Sequence, residues 1–280
     1  MGLIFKLIDY LRFLNRRRIY KRQQQKPLKL SSNGFLFSGI QSYIDGTWEP
    51  GSTKVFKKLL DSVSVFVNVG AHHGYFCCIA LKNSVETIAF EPEKSNCAML
   101  RKHILANKFS NNFQLHEAAV GSQTSEMKFF GGGDTGTLVI PNPRAPKMQI
   151  NSVKVVKMDD VIENKNQKTL FMIDAEGSEL DVLEGASTIL SGKMKHCFII
   201  ELWDPLSSDL LDNKSKNFTD VFRLMESKGY KGWKIDEDNG NVIEPMVNDT
   251  CTSNTSALSA CFSNYLFIDA NVTHESLFNK

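Results

Sequence analysis

The chain has 280 residues, of which 42% are hydrophobic, 23% charged and 10% aromatic, the composition and length of a folded protein able to bury a core. It is too apolar to be mainly disordered, and no apolar run approaches the roughly 20 residues of a membrane-spanning helix, which excludes an integral helical membrane protein. The net charge of +2 hides an asymmetry: residues 1–30 hold nine basic residues against one acid, Asp9 (+8), and the other 250 residues hold 24 against 30 (−6).

A basic tail on a mildly acidic body is not the pattern of a nucleic-acid-binding domain; it suits contact with an anionic surface. In residues 3–14, Ile4, Leu7, Ile8, Leu11 and Leu14 share one helical face, with Lys6, Asp9, Arg12 and Arg16 elsewhere. Two readings stay open: a helix packed on the body or on a partner subunit, or an interfacial helix held with its basic cluster on an anionic membrane. Lys6, Asp9 and Arg12 interrupt the apolar stretch, so it does not read as a signal peptide, and Lys6 breaks the myristoylation pattern after Gly2. The expected location is cytoplasmic, with attachment at the inner membrane face as the finer alternative. Six cysteines form no CxxC pair, and Cys77, Cys78 and Cys197 sit in apolar runs that read as core. The N-x-S/T sequons at Asn213, Asn217, Asn248, Asn254 and Asn271 read as accidents of an Asn-rich chain.

Strand-like and helix-like segments alternate from residue 50. Strands are expected over 64–69, 85–90, 113–120, 170–174 and 197–202, and helices over 74–81, 93–107, 178–190 and 218–228. Ser178 is the expected cap of the third helix, with Glu179 in its first turn. Two further strand-like pieces, 126–130 and 150–156, flank a glycine- and proline-bearing loop, 131–147, a candidate for acceptor recognition. The last strands, 230–235 and 264–269, are joined by a stretch without helical pattern. The alternation predicts an α/β fold with a mostly parallel sheet, helices on both faces, and one antiparallel strand at an end.

The first strand runs into Val69-Gly-Ala-His-His-Gly74 and then a helix, and Glu91 closes the second strand 21 residues after Gly70. Glycines in a strand-to-helix turn let a ligand approach the backbone, and a carboxylate at that distance accepts bonds from vicinal ribose hydroxyls. Dinucleotide sites favour G-x-G-x-x-G, whose second glycine clears space for pyrophosphate. Here that position is the bulky His72, which argues against NAD and for a nucleoside without phosphates, such as S-adenosylmethionine.

The segments Asn68-Val-Gly-Ala-His-His-Gly-Tyr-Phe, Ala89-Phe-Glu-Pro-Glu and Phe171-Met-Ile-Asp-Ala-Glu-Gly-Ser-Glu-Leu-Asp-Val-Leu-Glu-Gly-Ala resemble successive motifs of FkbM-type S-adenosylmethionine-dependent methyltransferases. Trp48-Glu-Pro, 153–162 and Ile199-Ile-Glu-Leu extend the resemblance over roughly residues 45–270. It implies a class I methyltransferase (Rossmann-like) domain over 31–280, behind the basic segment 1–30. It further implies a seven-stranded sheet of order 3-2-1-4-5-7-6, and O-methylation of a sugar, a glycoconjugate or another metabolite. Asn68 stands where the family usually has Asp, losing a charge that would pair with the cofactor's ammonium group. Glu49 or Asp174 could supply it, and a catalytically weak S-adenosylmethionine-binding protein is the alternative reading.

The expected cofactor-binding residues are Glu49, Asn68, Gly70, Ala71, Gly74, Glu91, Glu117 and Asp174, with Glu117 near adenine. Transfer to an alcohol needs a general base, or a metal that acidifies the hydroxyl. Acids cluster at the expected strand ends, where ligands of parallel sheets sit. Asp174 is the candidate base, Glu201 a contact to substrate or metal, and His72 a further candidate in the turn. A divalent cation is left open, with Asp174 and Glu201 as its ligands. Glu179 reads as a charge on a helix N-terminus. Trp48, Trp203 and Trp233 are candidates to stack on a sugar ring, and His103, His196 and His274 read as structural or exposed. The acceptor is a small molecule or glycan; quaternary state is open.

Overall fold

The strand that ends in the glycine bend alternates between two apolar environments. Val65, Val67 and Val69 face one buried cluster and Phe66 the other, the period-2 pattern of a strand covered on both sides. Leu170 and Met172 against Phe171 and Ile173, and Cys197 and Ile199 against Phe198, Ile200 and Leu202, repeat it. Truncating such a fully enclosed ring as Phe66 or Phe198 to Ala typically costs about 3–5 kcal/mol.

The computed structural model describes residues 18, 21, 22, 25–130, 138, 149–163, 166–203, 212–243 and 262–273. The expected helix at 3–14, most of the 131–147 loop, Asp204, Cys251, Cys261, Asn248, Asn254 and His274 lie outside the described residues, as do the side chains of Trp203 and Asn213. In chain order the strands are β1 (Lys29–Leu30), β2 (Leu36–Phe37), β3 (Val65–Val69), β4 (Glu86–Phe90), β5 (Phe113–His116), β6 (Ala119–Val120), β7 (Ser125–Phe130), β8 (Gln149–Val156), β9 (Thr169–Ile173), β10 (Cys197–Trp203), β11 (Tyr230–Ile235), β12 (Val242–Ile243) and β13 (Phe262–Asp269). The helices are α1 (Gln41–Asp45), α2 (Pro50–Leu60), α3 (Tyr75–Lys82), α4 (Lys94–Ala106), α5 (Met158–Val161), α6 (Glu179–Glu184), α7 (Ser187–Ser191) and α8 (Asp212–Ser227).

The central sheet has the order β12-β11-β13-β10-β9-β3-β4-β5. Without the two-residue edge strand β12, this is the 3-2-1-4-5-7-6 order of class I methyltransferases. The pairs β10–β9, β9–β3, β3–β4 and β4–β5 are parallel. The antiparallel strand is β13, and it lies between β10 and β11 rather than at an end. Order reverses at β3, which pairs with β4 on one side and β9 on the other, so the carboxyl ends of β3 and β9 mark the switch point where ligands of open α/β sheets bind.

The expected strand 113–120 splits: β5 stays in the main sheet, while β6 joins β8 and β7 in a small separate sheet. The expected helix 178–190 breaks at Gly185 into α6 and α7. Gly185 packs directly against the Gly121 backbone, leaving no room for a side chain. Asp159 then caps the start of α7, accepting bonds from the Thr188 and Ile189 N–H groups. The patterning did not reveal β1, β2, α1 and α2; these elements and the β1–β2 turn nonetheless supply Phe35, Phe37, Tyr43, Val55, Phe56 and Leu59 to one core. The β1–β2 hairpin joins residues on both sides of the boundary expected at residue 30.

Candidate active site

At the switch point the three chain bends after β3, β4 and β9 are bonded to one another. Gly70 and Ala71 donate to the Phe90 carbonyl, Asp174 to the Val69 carbonyl, and Glu91 to the His116 carbonyl. Gly70 has φ +80, and a Cβ there would run into the Asp174 carbonyl oxygen. The glycine is therefore required twice, for its conformation and for the close approach. Gly74, at φ +81, begins α3 and packs on Leu100.

A cleft of about 390 Å³ opens here, lined among others by Glu49, Asn68, Gly70, Ala71, His72, Glu91, Asp174, Glu176, Glu201 and Asn264. Three of its lining residues, Glu49 (φ 41), His72 (φ 50) and Glu176 (φ 51), hold left-handed backbone without being glycine. Such conformations cost roughly 1–3 kcal/mol each and persist where the surroundings impose them, often at functional sites.

Glu91 is buried and locked in place. Its Oε2 accepts the His72 N–H at 2.8 Å; its Oε1 accepts the Glu93 N–H at 2.9 Å and the Asn96 Nδ2–H at 3.0 Å. A carboxylate has about four acceptor positions, so these three bonds leave Oε2 capacity for a ligand hydroxyl. Burial pushes the carboxyl up to about 7, against the opposing pull of the Glu93, Asn96 and His72 donors. The bend thus holds the carboxylate through a backbone N–H, and this N–H belongs to the residue forced into left-handed backbone.

Glu49 also lines the cleft. Burial pushes its carboxyl up to about 8, and Asp174 and Glu237 push it the same way. Bonds from Asn264 (Nδ2 to Oε2, 3.3 Å) and Trp48 pull it back. A carboxyl with two acidic neighbours is an environment that a cationic ligand group relieves. Asn68 is buried and also lines the cleft, its Nδ2 donating to Cys77 Sγ at 3.5 Å.

The turn carrying Asp174 and Glu176 is shaped by Glu179. Ser178 occupies the cap position of α6 but makes no side-chain cap bond. Instead Glu179, 1% exposed, folds back so that Oε1 accepts the Ala175 and Gly177 N–H groups at 3.2 and 2.9 Å. Its Oε2 accepts Asn217 Nδ2–H at 2.7 Å, and Asn217 Oδ1 takes the Leu180 N–H. Asn217 of the sequon thus ties α8 to this turn.

Glu201 and Asn264 are register partners on β10 and β13, and both line the cleft. Glu117 does not line it; it pairs with Arg101 on the surface, while Ala118, Ala119 and Val120 form the wall next to it. Trp48, Tyr43 and Tyr75 form an aromatic wall, with Tyr43 5.0 Å from each of the other two rings. Trp233 packs instead under Lys231. His73 stacks on His72 and is held neutral by burial. His103 bridges the His73 carbonyl and Ser38. Among the described residues no group of three or more His, Cys, Asp or Glu is disposed to hold a metal ion, and no helix is long and apolar enough to cross a membrane.

Sequence reading missed Asn96, Asn217, Glu237 and Asn264. Asn217 and Asn264 hold carboxylates distant in sequence and Glu237 accepts from the distant start of α2, contacts that no local spacing signals, whereas Asn96 holds Glu91 from the first turn of the next helix.

Sheet order, switch-point cleft and strand-end carboxylates define a class I methyltransferase architecture. The family model for the methyltransferase FkbM domain matches residues 68–231, more than half of the chain, and the chain belongs to that family. No curated protein matches it. Among solved structures it is similar to methyltransferase FkbM from Methylobacillus flagellatus KT (13% identity, TM-score 0.47), over 92% of this chain and 60% of that one. It is also similar to an O-methyltransferase from Bacillus cereus in complex with SAH (8% identity, TM-score 0.45), over 78% of this chain and 80% of that one.

Proposed function

We propose that the cleft binds S-adenosylmethionine and that the protein transfers its methyl group to a hydroxyl of a sugar or glycoconjugate. The observation that carries this reading is the Glu91 carboxylate, fixed at 2.8 Å from the His72 N–H inside the glycine bend. It presents acceptor capacity to a ribose hydroxyl where pyrophosphate has no glycine to admit it. Glu49 and Asp174 offer negative charge to the cofactor's ammonium and sulfonium groups, the charge that Asn68 does not supply. When bound, the cofactor supplies an electrophilic methyl on a cationic sulfur.

The remaining chemistry falls to the chain's own residues. Asp174 takes the proton of the acceptor hydroxyl, Glu201 and Asn264 orient the acceptor by hydrogen bonds, and the walls exclude water. The sugar reading draws on the Trp48–Tyr43–Tyr75 wall, since aromatic faces pack well on the apolar faces of pyranose rings. The test is release of S-adenosylhomocysteine with a broad panel of glycan and non-glycan alcohols. Turnover confined to carbohydrates supports the reading; cofactor binding without turnover across the panel favours the weak-binding alternative. Asp174→Asn should cut turnover at saturating cofactor by about 100-fold or more, as for loss of a general base; unchanged turnover removes Asp174 from that role.

For residues 1–30 the proposal is contact with anionic membrane, motivated by their +8 charge and the apolar face at 3–14. Vesicle binding should weaken with salt and vanish on deleting the segment; indifference of the full chain to anionic vesicles would end the idea.

A further inference from the structure

A residue at a helix N-cap normally turns its own side chain onto the first free N–H groups of that helix. Glu49 is the N-cap of α2 and makes no such bond. Pro50, at the first helical position, has no N–H to satisfy. The next two N–H groups, of Gly51 and Ser52, are both taken at 3.1 Å by Oε2 of Glu237, which lies some 185 residues away in the turn between β11 and β12. Oε1 of Glu237 accepts the Ser52 hydroxyl and, at 3.4 Å, Asn264 Nδ2–H. The same Asn264 nitrogen donates to Glu49.

The turn is seated, not merely adjacent. A Cβ on Gly51 would run into the Asp236 carbonyl, so only glycine lets the turn backbone settle on the helix start. Lys54 Nζ donates to the Asn239 carbonyl at 2.8 Å, tying down the far side of the turn.

We propose that Glu237 caps α2 in place of Glu49, releasing the Glu49 carboxylate into the cleft and acting as a positioning residue for recognition of the ligand's cationic group. The proposal rests on the reading of the cleft as an S-adenosylmethionine site. Its structural part, the exchange of capping duty, does not. Facing Glu49 are Asp174 from the β9 turn, Glu237 from the β11–β12 turn, and, with weaker effect, the Tyr75 hydroxyl of α3; Asn264 and Trp48 donate to it.

The experiment compares wild type, E237Q, E49Q and the double variant by titration with S-adenosylhomocysteine at pH 7.5, with ligand-free thermal melts from pH 4.5 to 9. E237Q should weaken binding by about 10-fold, the scale of one displaced charged hydrogen bond. In the E49Q background the same change should cost less than about twofold, because the group it positions is gone. Equal losses in both backgrounds, or no loss in either, would overturn the proposal, since a cap that only stabilises the helix acts independently of Glu49. Should wild type bind no S-adenosylhomocysteine, the reading of the cleft fails and the melts decide the positioning role. The stability difference between wild type and E49Q should titrate at lower pH in the E237Q background, where one acidic neighbour is absent. An unmoved midpoint would overturn it. Should E237Q not fold, K54M, which unties the exposed end of the same turn and keeps the Glu237 charge, carries the binding comparison with the same outcomes.

Discussion

The Glu179→Gln substitution changes one atom and tests how the catalytic turn is held. In the protein, Glu179 only accepts: two backbone N–H groups on Oε1 and the Asn217 amide on Oε2. Asn217 cannot rotate its amide to compensate, because its oxygen is committed to the Leu180 N–H. A glutamine in this place keeps its oxygen on Ala175 and Gly177 and turns an NH2 group toward the Asn217 NH2, leaving buried donors facing each other. One such unsatisfied pair costs about 1–3 kcal/mol. For a chain of this size roughly 2 kcal/mol lowers the melting midpoint by about 4–8 °C. The Asp174–Gly177 turn should loosen at the same time, so that turnover falls by about 10-fold or more while the rest of the fold stays intact, as expected when a reacting group is displaced. Calorimetric melts and initial rates read both effects. Combining Glu179→Gln with Asn217→Asp reverses donor and acceptor across the same contact, and should recover most of the lost stability. A single variant that melts and turns over like wild type, or a double variant no better than the single, would refute the argument.

Gly70→Ala should be harsher, since the new Cβ meets the Asp174 carbonyl and φ is +80. The left-handed backbone alone costs an L-residue about 1–2 kcal/mol, and soluble protein with wild-type cofactor affinity would speak against the close packing of the two bends. Above about pH 7, where the buried His73, His103 and His196 are neutral in folded and unfolded chain alike, the ligand-free protein should also lose stability as pH rises. Glu49 and Glu91 have folded-state values raised to about 8 and about 7 from 4.5, so these two groups hold more protons in the folded state than in the unfolded chain between pH 4.5 and 8. Their stabilising contribution is complete below that window and lost through it. Glu49→Gln should flatten the part of the slope nearest pH 8 in thermal melts, and a slope identical to wild type would contradict the buried placement of Glu49.

Much of the fold was legible because its signal is local. The apolar strands 64–69, 170–174 and 197–202, each followed by helix-forming sequence, mark a parallel sheet through periodicity alone. The glycine bend and Glu91 were legible for the same reason, with a fixed spacing between a turn and the end of the next strand. Position in the sheet is a tertiary property, and this is where sequence reading stopped. The insertion of β13 between β10 and β11 depends on pairing between distant segments. The break of the 178–190 helix follows from Gly185 meeting Gly121, a contact invisible in either segment. Glu117 carries a carboxylate just past the end of β5, yet it pairs with Arg101 on the surface. Glu179 looked like a dipole charge because its helix position suggests that; only the folded turn shows it gripping Ala175 and Gly177. Asn217 and Asn264 act on carboxylates from other elements, Glu237 on the start of α2, and the sequence carries no local mark of such support.

The most direct test is isothermal titration of the wild-type protein and Glu91→Gln with S-adenosylhomocysteine. The substitution keeps the shape of the side chain but replaces one of its two acceptor ends with a donor. One-to-one binding by wild type, weakened at least about 10-fold by Glu91→Gln in a protein that still melts cooperatively, is the expected result, the scale of one hydrogen bond to a charged group. A wild-type protein that takes up no ligand, or a variant that binds it as tightly, would contradict the account.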